Sequence, residues 1–253
     1  MSFKVYIPAR YASTRLPGKP LARVGGKTLI QHVYDRACAS GAAEVVIATD
    51  DHPIREAVEA FGGVVAMTAH THLSGTDRIA EAVQQRGELP ATVIVNLQGD
   101  EPLMPAAVIQ QVAALIGGAQ EIEIGTICEP IEDEREWRDP NVVKVVRDAQ
   151  ARALYFSRAP IPHARDADSI SPNIAQWRFR HVGIYAYTVD YLTQFVRLPP
   201  SPLEQLERLE QLRALASGAR IAVATACAPC GIGIDTPADL ARFAAVVAGR
   251  SSH

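Results

Sequence analysis

Phe3-Lys4-Val5-Tyr6-Ile7-Pro8-Ala9-Arg10-Tyr11-Ala12-Ser13-Thr14-Arg15-Leu16-Pro17-Gly18-Lys19-Pro20 runs from a short apolar segment into a loop with three fixed cations, Arg10, Arg15 and Lys19. Gly18 lets the backbone approach a ligand closely, and the prolines lower the entropy of a loop that would otherwise wander. Such a loop suits a nucleoside triphosphate with its ~four negative charges: arginine forks grip paired oxygens, and a lysine places a point charge at a bond being broken. The plain alternative is a basic solvated loop. The pattern is neither G-x-x-x-x-G-K-[ST] nor G-x-G-x-x-G. Gly25-Gly26-Lys27-Thr28 holds a G-K-T triplet, but no glycine stands five residues before Gly26, so it reads as a turn into a helix capped by Thr28.

Outward from that first segment, apolar β-branched runs alternate with helical periodicity. Strands are expected at 3–7, 44–48, 64–67 and 92–97, with helices at about 28–40, 52–61 and 76–86. This is a βαβ series, and it implies an α/β fold with a mainly parallel, Rossmann-like sheet flanked by helices. In such sheets ligands gather at the carboxyl ends of strands. The residues found there are polar each time: the basic loop, then Thr49-Asp50-Asp51, then Thr68 through Ser74-Gly75-Thr76-Asp77-Arg78, then Gln98-Gly99-Asp100-Glu101-Pro102. Ser74 to Arg78 place small hydroxyls and backbone N–H groups where a ribose or base could be held, or they only cap a helix. Gly99 throws Asp100 to the sheet edge, where a carboxylate facing the basic loop suits Mg2+; a turn residue is the alternative.

Seven stretches carry a resemblance. They are Pro8 to Pro20, Ser74 to Arg78, Gln98 to Pro102, Leu154-Tyr155-Phe156-Ser157-Arg158-Ala159-Pro160-Ile161-Pro162, Arg180-His181-Val182-Gly183-Ile184-Tyr185-Ala186-Tyr187, Ser201 to Arg213, and Gly233-Ile234-Asp235-Thr236-Pro237-Ala238-Asp239. Together they resemble the 3-deoxy-manno-octulosonate (KDO) cytidylyltransferases, or CMP-KDO synthetases, and run almost to the C-terminus. The resemblance implies a fold of the nucleotide-diphospho-sugar transferase type, a magnesium cofactor, and transfer of CMP from CTP to the anomeric hydroxyl of KDO for lipopolysaccharide biosynthesis. It places Arg10, Arg15 and Lys19 on the triphosphate and Ser74, Gly75, Thr76 and Arg78 around cytidine, with Thr49 and Asp50 nearby. It puts Asp100 and Asp235 on magnesium, so that Arg10, Lys19, Asp100 and Asp235 form the catalytic set. Glu210 and Gln211 fall to the acceptor sugar, with Gln98 beside them; chemically, Arg158 and Arg165 suit its carboxylate, and His181 and Tyr185 its hydroxyls.

Some of these residues carry a second reading. Alone, His181 in a strand reads as a structural histidine, and Tyr185 and Tyr187 as core. Residues 201–213 read as one helix, with Ser201 as N-cap, Pro202 at its first position and Glu204 completing a capping box. On it, Glu204 and Glu207 read as a solvated face. Thr236, Pro237 and Asp239 already supply the start of the last helix, so capping leaves Asp235 unexplained.

One domain over 1–253 is expected, with antiparallel strands over about 122–187 inserted in it, building the acceptor site and, by the resemblance, a homodimer interface. Residues 165–176 are polar and depart most from the family pattern. At 253 residues, 48% hydrophobic and 21% charged, the chain can bury a substantial core, and a net charge of -3 argues against general affinity for nucleic acid or anionic membrane. Neither a signal peptide nor a membrane-spanning run is evident, so a cytoplasmic location and no membrane partner are expected. Four cysteines are too few and scattered for a disulfide scaffold; Cys227-Ala-Pro-Cys230 leaves a redox or zinc half-site open, though no second pair accompanies it. The rival readings are a cytidylyltransferase for another acidic sugar such as sialic acid, a noncatalytic nucleotide-sugar sensor, and an oxidoreductase, which lacks its glycine fingerprint.

Overall fold

β1 (Phe3–Ala9) is buried along nearly its whole length because both of its faces are covered. The computed structural model describes residues 2–11, 16–117, 121–165 and 174–250. After β1, a short ladder of β2 (Arg23–Val24) and β3 (Lys27–Thr28) delivers the chain to α1 (Leu29–Cys38), where the Thr28 side chain accepts from the Gln31 N–H as expected. The unit then repeats through β4 (Glu44–Thr49), α2 (His52–Ala60), β5 (Val64–Met67), α3 (Gly75–Gln85), β6 (Val93–Asn96) and α4 (Ala106–Ala114). Asp51 and Ser74 cap α2 and α3 with their side chains.

Alternation along the strands sorts side chains to the two faces. Val5, Ile7, Ile47, Val93 and Val95 meet Ile30, Val33, Ile54, Val58 and Val108 on one side. Tyr6, Val46, Ala48 and Ile94 meet Ile79, Ala82, Val83 and Leu192 on the other. At ~1.5–3 kcal/mol for each fully buried aliphatic side chain, these faces fix the register, since a slip of one residue would exchange them.

The second half completes the same sheet. It comprises β7 (Ile124–Pro130), α5 (Glu134–Arg138), β8 (Lys144–Arg147), β9 (Ala153–Ser157), β10 (Phe179–Thr188), α6 (Val189–Phe195), α7 (Pro202–Glu207), α8 (Gln211–Ala216), β11 (Ile221–Thr225) and α9 (Pro237–Arg250). Strand order is β11-β7-β10-β6-β1-β4-β5, and along that path β10 is the reversed strand, antiparallel to both β6 and β7. The antiparallel part expected over 122–187 is therefore continuous with the central sheet, and the β8–β9 hairpin branches from β10 at Arg180. No helix among the described residues is long and apolar enough to cross a membrane.

Two local expectations fail. The single helix over 201–213 breaks at Arg208, which adopts a left-handed φ of 55° and ψ of 46°. The cause lies 50 residues away in sequence: Arg158 Nε donates to the Glu207 carbonyl at 2.7 Å, drawing it out of helical pairing, while Leu209 turns into the core. Nor are Glu204 and Glu207 a solvated face. Besides serving the capping box, Glu204 binds Arg213 through both oxygens, and Glu207 accepts from Ser157 Oγ at 2.6 Å and the Arg158 N–H at 2.9 Å.

Candidate active site

The carboxyl ends of the parallel strands open into a cavity of about 790 Å3, lined by the end of β1 (Pro8, Ala9, Arg10), by Lys19 and Pro20, by His72 to Gly75 and Arg78, and by Gln98 to Asp100 with Asp235. Gly18 holds a left-handed φ of 68°, which lets the chain turn into a short 3-10 helix beginning at Lys19. Gly99 lies where a Cβ would stand 2.9 Å from the Pro8 carbonyl oxygen, so only glycine lets the turn after β6 pass so close to β1.

Lys19 joins the distant pieces. Its Nζ donates to Asp100 Oδ2 at 2.7 Å and to Asp235 Oδ1 at 3.1 Å. Burial alone would push this ammonium down, but the two carboxylates hold it above its ordinary value. Asp235 is brought there by its own loop: the Ile234 N–H bonds the Asp100 carbonyl at 2.8 Å, and Asp239 accepts from the backbone N–H of Asp235 and Thr236. Beneath them, burial and then the charges of Asp100 and Asp235 push the Glu101 carboxyl up to about 8.

The neighbouring wall is braced from behind. Arg78, buried at 4% exposure, donates to Thr68 Oγ1 at 2.6 Å and Asp50 Oδ2 at 3.0 Å. Thr49 is fully buried and accepts from the Asp51 N–H. Thr49 and Asp50 thus stand behind the cavity and do not line it. Thr76 faces a second cavity of about 1200 Å3, which shares Leu73, Ser74, Gly75 and Gln98 with the first and is closed by Pro202, Glu204, Arg208, Glu210 and Arg213. There Thr76 Oγ1 donates to Glu210 Oε2 at 2.5 Å, and burial raises the Glu210 carboxyl.

Of the residues assigned to an acceptor, Gln98 and Glu210 line this second cavity. Arg158 does not: it is committed to the carbonyls of Glu207, Pro140 and Arg208, a bracing role. His181 is held by Thr126 at 2.9 Å and packs against Phe156 and Tyr185, with burial pushing its imidazole down to about 3. Gln211 is buried, and its Nε2 finds no hydrogen-bond partner among the described residues. Arg165 is exposed at the edge of the described chain, and Arg15 lies outside the described residues. His72 and Arg208 line the cavities without having been singled out from sequence. The signal for His72 was its place just beyond β5, where polar residues gather; for Arg208 there was none, because the helix break was not foreseen.

Asp100 and Asp235 provide two carboxylates within reach of one cation, a donor set that fits magnesium when phosphate oxygens and water supply the rest. No group of three or more His, Cys, Asp or Glu among the described residues is placed to hold a metal. Cys227 is exposed and Cys230 buried, and both are free.

The Cytidylyltransferase family pattern matches residues 5–221. A 3-deoxy-manno-octulosonate cytidylyltransferase of Idiomarina loihiensis is 51% identical over 245 residues, covering 96% of this chain and 97% of the relative. One from Xanthomonas euvesicatoria pv. vesicatoria is 54% identical over 248 residues, covering 95% and 94%. The solved structure of a CMP:2-keto-3-deoxy-manno-octonic acid synthetase complexed with CTP superimposes with a TM-score of 0.90 at 42% identity, covering 99% of this chain and 100% of that one. A cytidylyltransferase from Leptospira borgpetersenii, at 19% identity and a TM-score of 0.62, shares the fold. With Arg10 and Lys19, the paired aspartates and both cavities in place, this chain belongs to the cytidylyltransferase family, among the 3-deoxy-manno-octulosonate cytidylyltransferases.

Proposed function

We propose that the protein transfers CMP from CTP to the anomeric hydroxyl of KDO, giving CMP-KDO and pyrophosphate. The observation that carries this is the meeting of Lys19, Asp100 and Asp235 in a cavity that adjoins, across Gln98, a second one carrying Glu204, Arg208, Glu210 and Arg213. Two substrates can thus lie side by side with the reacting phosphate between them. The named relatives and the CTP-bound neighbour support CTP and KDO as those substrates.

Arg10 receives the triphosphate, and Ser74, Gly75 and Arg78 receive the nucleoside, while Thr76 faces the acceptor side with Glu210. The acceptor, held near Gln98 and Glu210, brings its anomeric oxygen to the α-phosphorus. The new P–O bond forms as the bond from that phosphorus to the bridging oxygen breaks, both electrons leave with pyrophosphate, and the hydroxyl proton passes to water. Lys19 neutralises charge on that leaving group, and no covalent enzyme intermediate is needed. Asp100 and Asp235 would hold magnesium, which supplies polarisation of the α-phosphate and a lower pKa for the attacking hydroxyl. An ammonium seated between two carboxylates marks a place prepared for cationic charge.

A homodimer through the inserted strands is supported by Leu154 on β9 and Trp177 just before β10, exposed at 62% and 59%. Activation of KDO for lipopolysaccharide biosynthesis in the cytoplasm is the corresponding role. Incubation with CTP and KDO, with and without magnesium, followed by detection of CMP-KDO, tests the reaction; product with UTP or sialic acid in preference would redirect it.

A further inference from the structure

Between β5 and α3 the chain crosses the rim of the first cavity, and its anchoring there is unusual. Leu73 is 91% exposed and contributes no burial. The segment is held instead by Glu81 on α3, which accepts from the Ala69 N–H at 2.9 Å, from Gln85 Nε2 at 2.8 Å, and forms a short bond with His72 Nε2. Burial works to raise the Glu81 carboxyl, but the Ala69 and His72 bonds hold it below its ordinary value; a carboxylate only accepts, so Nε2 of His72 is the donor in their bond. His72 itself lines the cavity beside Ser74, Gly75 and Arg78, away in sequence from the Lys19, Asp100 and Asp235 cluster.

With Nε2 occupied, Nδ1 is the ring nitrogen left for whatever fills the cavity. In the neutral ring, whose one proton is on Nε2, it is an acceptor, matched to a donor and not to a phosphate oxygen. Given the proposed use of CTP, we propose that His72 is an additional nucleoside-contacting residue, oriented by Glu81 to accept a hydrogen bond from the ribose 2′-hydroxyl or from the exocyclic amine of cytosine. Glu81 is then a positioning residue, since it acts through the imidazole.

A purely structural role for the pair predicts something different: loss of thermal stability with no change in nucleotide preference. The test uses the full chain with His72→Phe, which keeps ring volume without nitrogen, His72→Gln, which keeps a hydrogen-bonding group, and Glu81→Gln. CTP, dCTP and UTP binding is measured by calorimetry, alongside kcat and KM for CTP. His72→Phe is expected to weaken CTP about tenfold, the value of one hydrogen bond to a ligand. The turnover number should stay within about threefold, His72→Gln should recover part of the loss, and Glu81→Gln should weaken CTP by a smaller factor. A shrunken preference for CTP over dCTP identifies the ribose as partner; a shrunken preference over UTP identifies the base. CTP affinity unchanged in His72→Phe, or an equal loss for all three nucleotides, overturns the assignment. If the wild-type chain binds CTP but makes no CMP-KDO, the proposed reaction fails while calorimetry still decides the role of His72.

Discussion

The Ile234 N–H donates to the Asp100 carbonyl oxygen at 2.8 Å, and that contact joins two loops that lie more than a hundred residues apart in the chain. It explains how the last turn before α9 reaches the edge of β6 and presents Asp235 to the ammonium that also binds Asp100. The approach is close: a Cβ at Gly231 would fall 2.2 Å from Leu103 Cβ, and one at Gly233 would fall 2.9 Å from Glu101 Oε1.

Gly231→Ala is therefore expected to lift the loop away from Leu103, whose Cβ cannot swing aside as a side-chain tip can. Stability should drop by ~1–3 kcal/mol, as for other overpacked sites. Activity should fall further than the melting temperature suggests, because Asp235 is displaced. Thermal melts and pyrophosphate release measure the two, and an alanine variant with full activity would show that the loop has room to spare.

Lys19→Ala separates two roles. If Lys19 neutralises the leaving pyrophosphate, kcat should decrease by ~10²–10³ while KM for CTP changes little, the pattern for an interaction stronger in the transition state. A rise in KM with kcat preserved would make Lys19 a ground-state binding residue.

Thr76→Val replaces a hydroxyl by a methyl of nearly the same shape and removes the 2.5 Å bond to Glu210. A buried carboxyl losing one partner costs ~1–3 kcal/mol. Glu210 faces the second cavity, so KM for the acceptor should rise more than KM for CTP. Equal effects on both substrates would contradict the division between the two cavities.

His181 yields a pH prediction. Its imidazole is pushed by burial from 6.5 to about 3, so between those values the unfolded chain takes up a proton that the folded chain refuses. This contribution to stability is complete above pH 6.5 and is lost as pH falls through the window. In His181→Phe, Tm should decline less steeply between pH 6.5 and 4 than in the wild type; identical slopes would show that His181 is not held neutral.

The sequence made legible whatever local chemistry decides. Thr28, Ser201 and Thr236 cap helices where they were expected, because a hydroxyl before a helical run acts on its own next few N–H groups. The polar residues after each strand converge because a parallel sheet puts those ends together. What was not legible depends on remote partners. Leu203, Leu206, Leu209 and Arg213 keep helical spacing, yet Ser157 and Arg158 break the helix by claiming Glu207. That same engagement removes Arg158 from the set of cations facing a cavity, and no motif could announce it. The Lys19 contact with both aspartates likewise depends on how residues 231–235 lie on the turn at 98–101.

The most direct measurement is CMP-KDO formation from CTP and KDO by the wild type and by Asp100→Asn and Asp235→Asn, each with and without magnesium, with folding checked by thermal melt. Product should require magnesium in the wild type. Each variant should melt normally and lose activity by at least ~10²-fold, the scale of an electrostatic catalytic group. A folded Asp100→Asn protein that turns over at the wild-type rate would contradict the assignment of the paired carboxylates to the reacting phosphate.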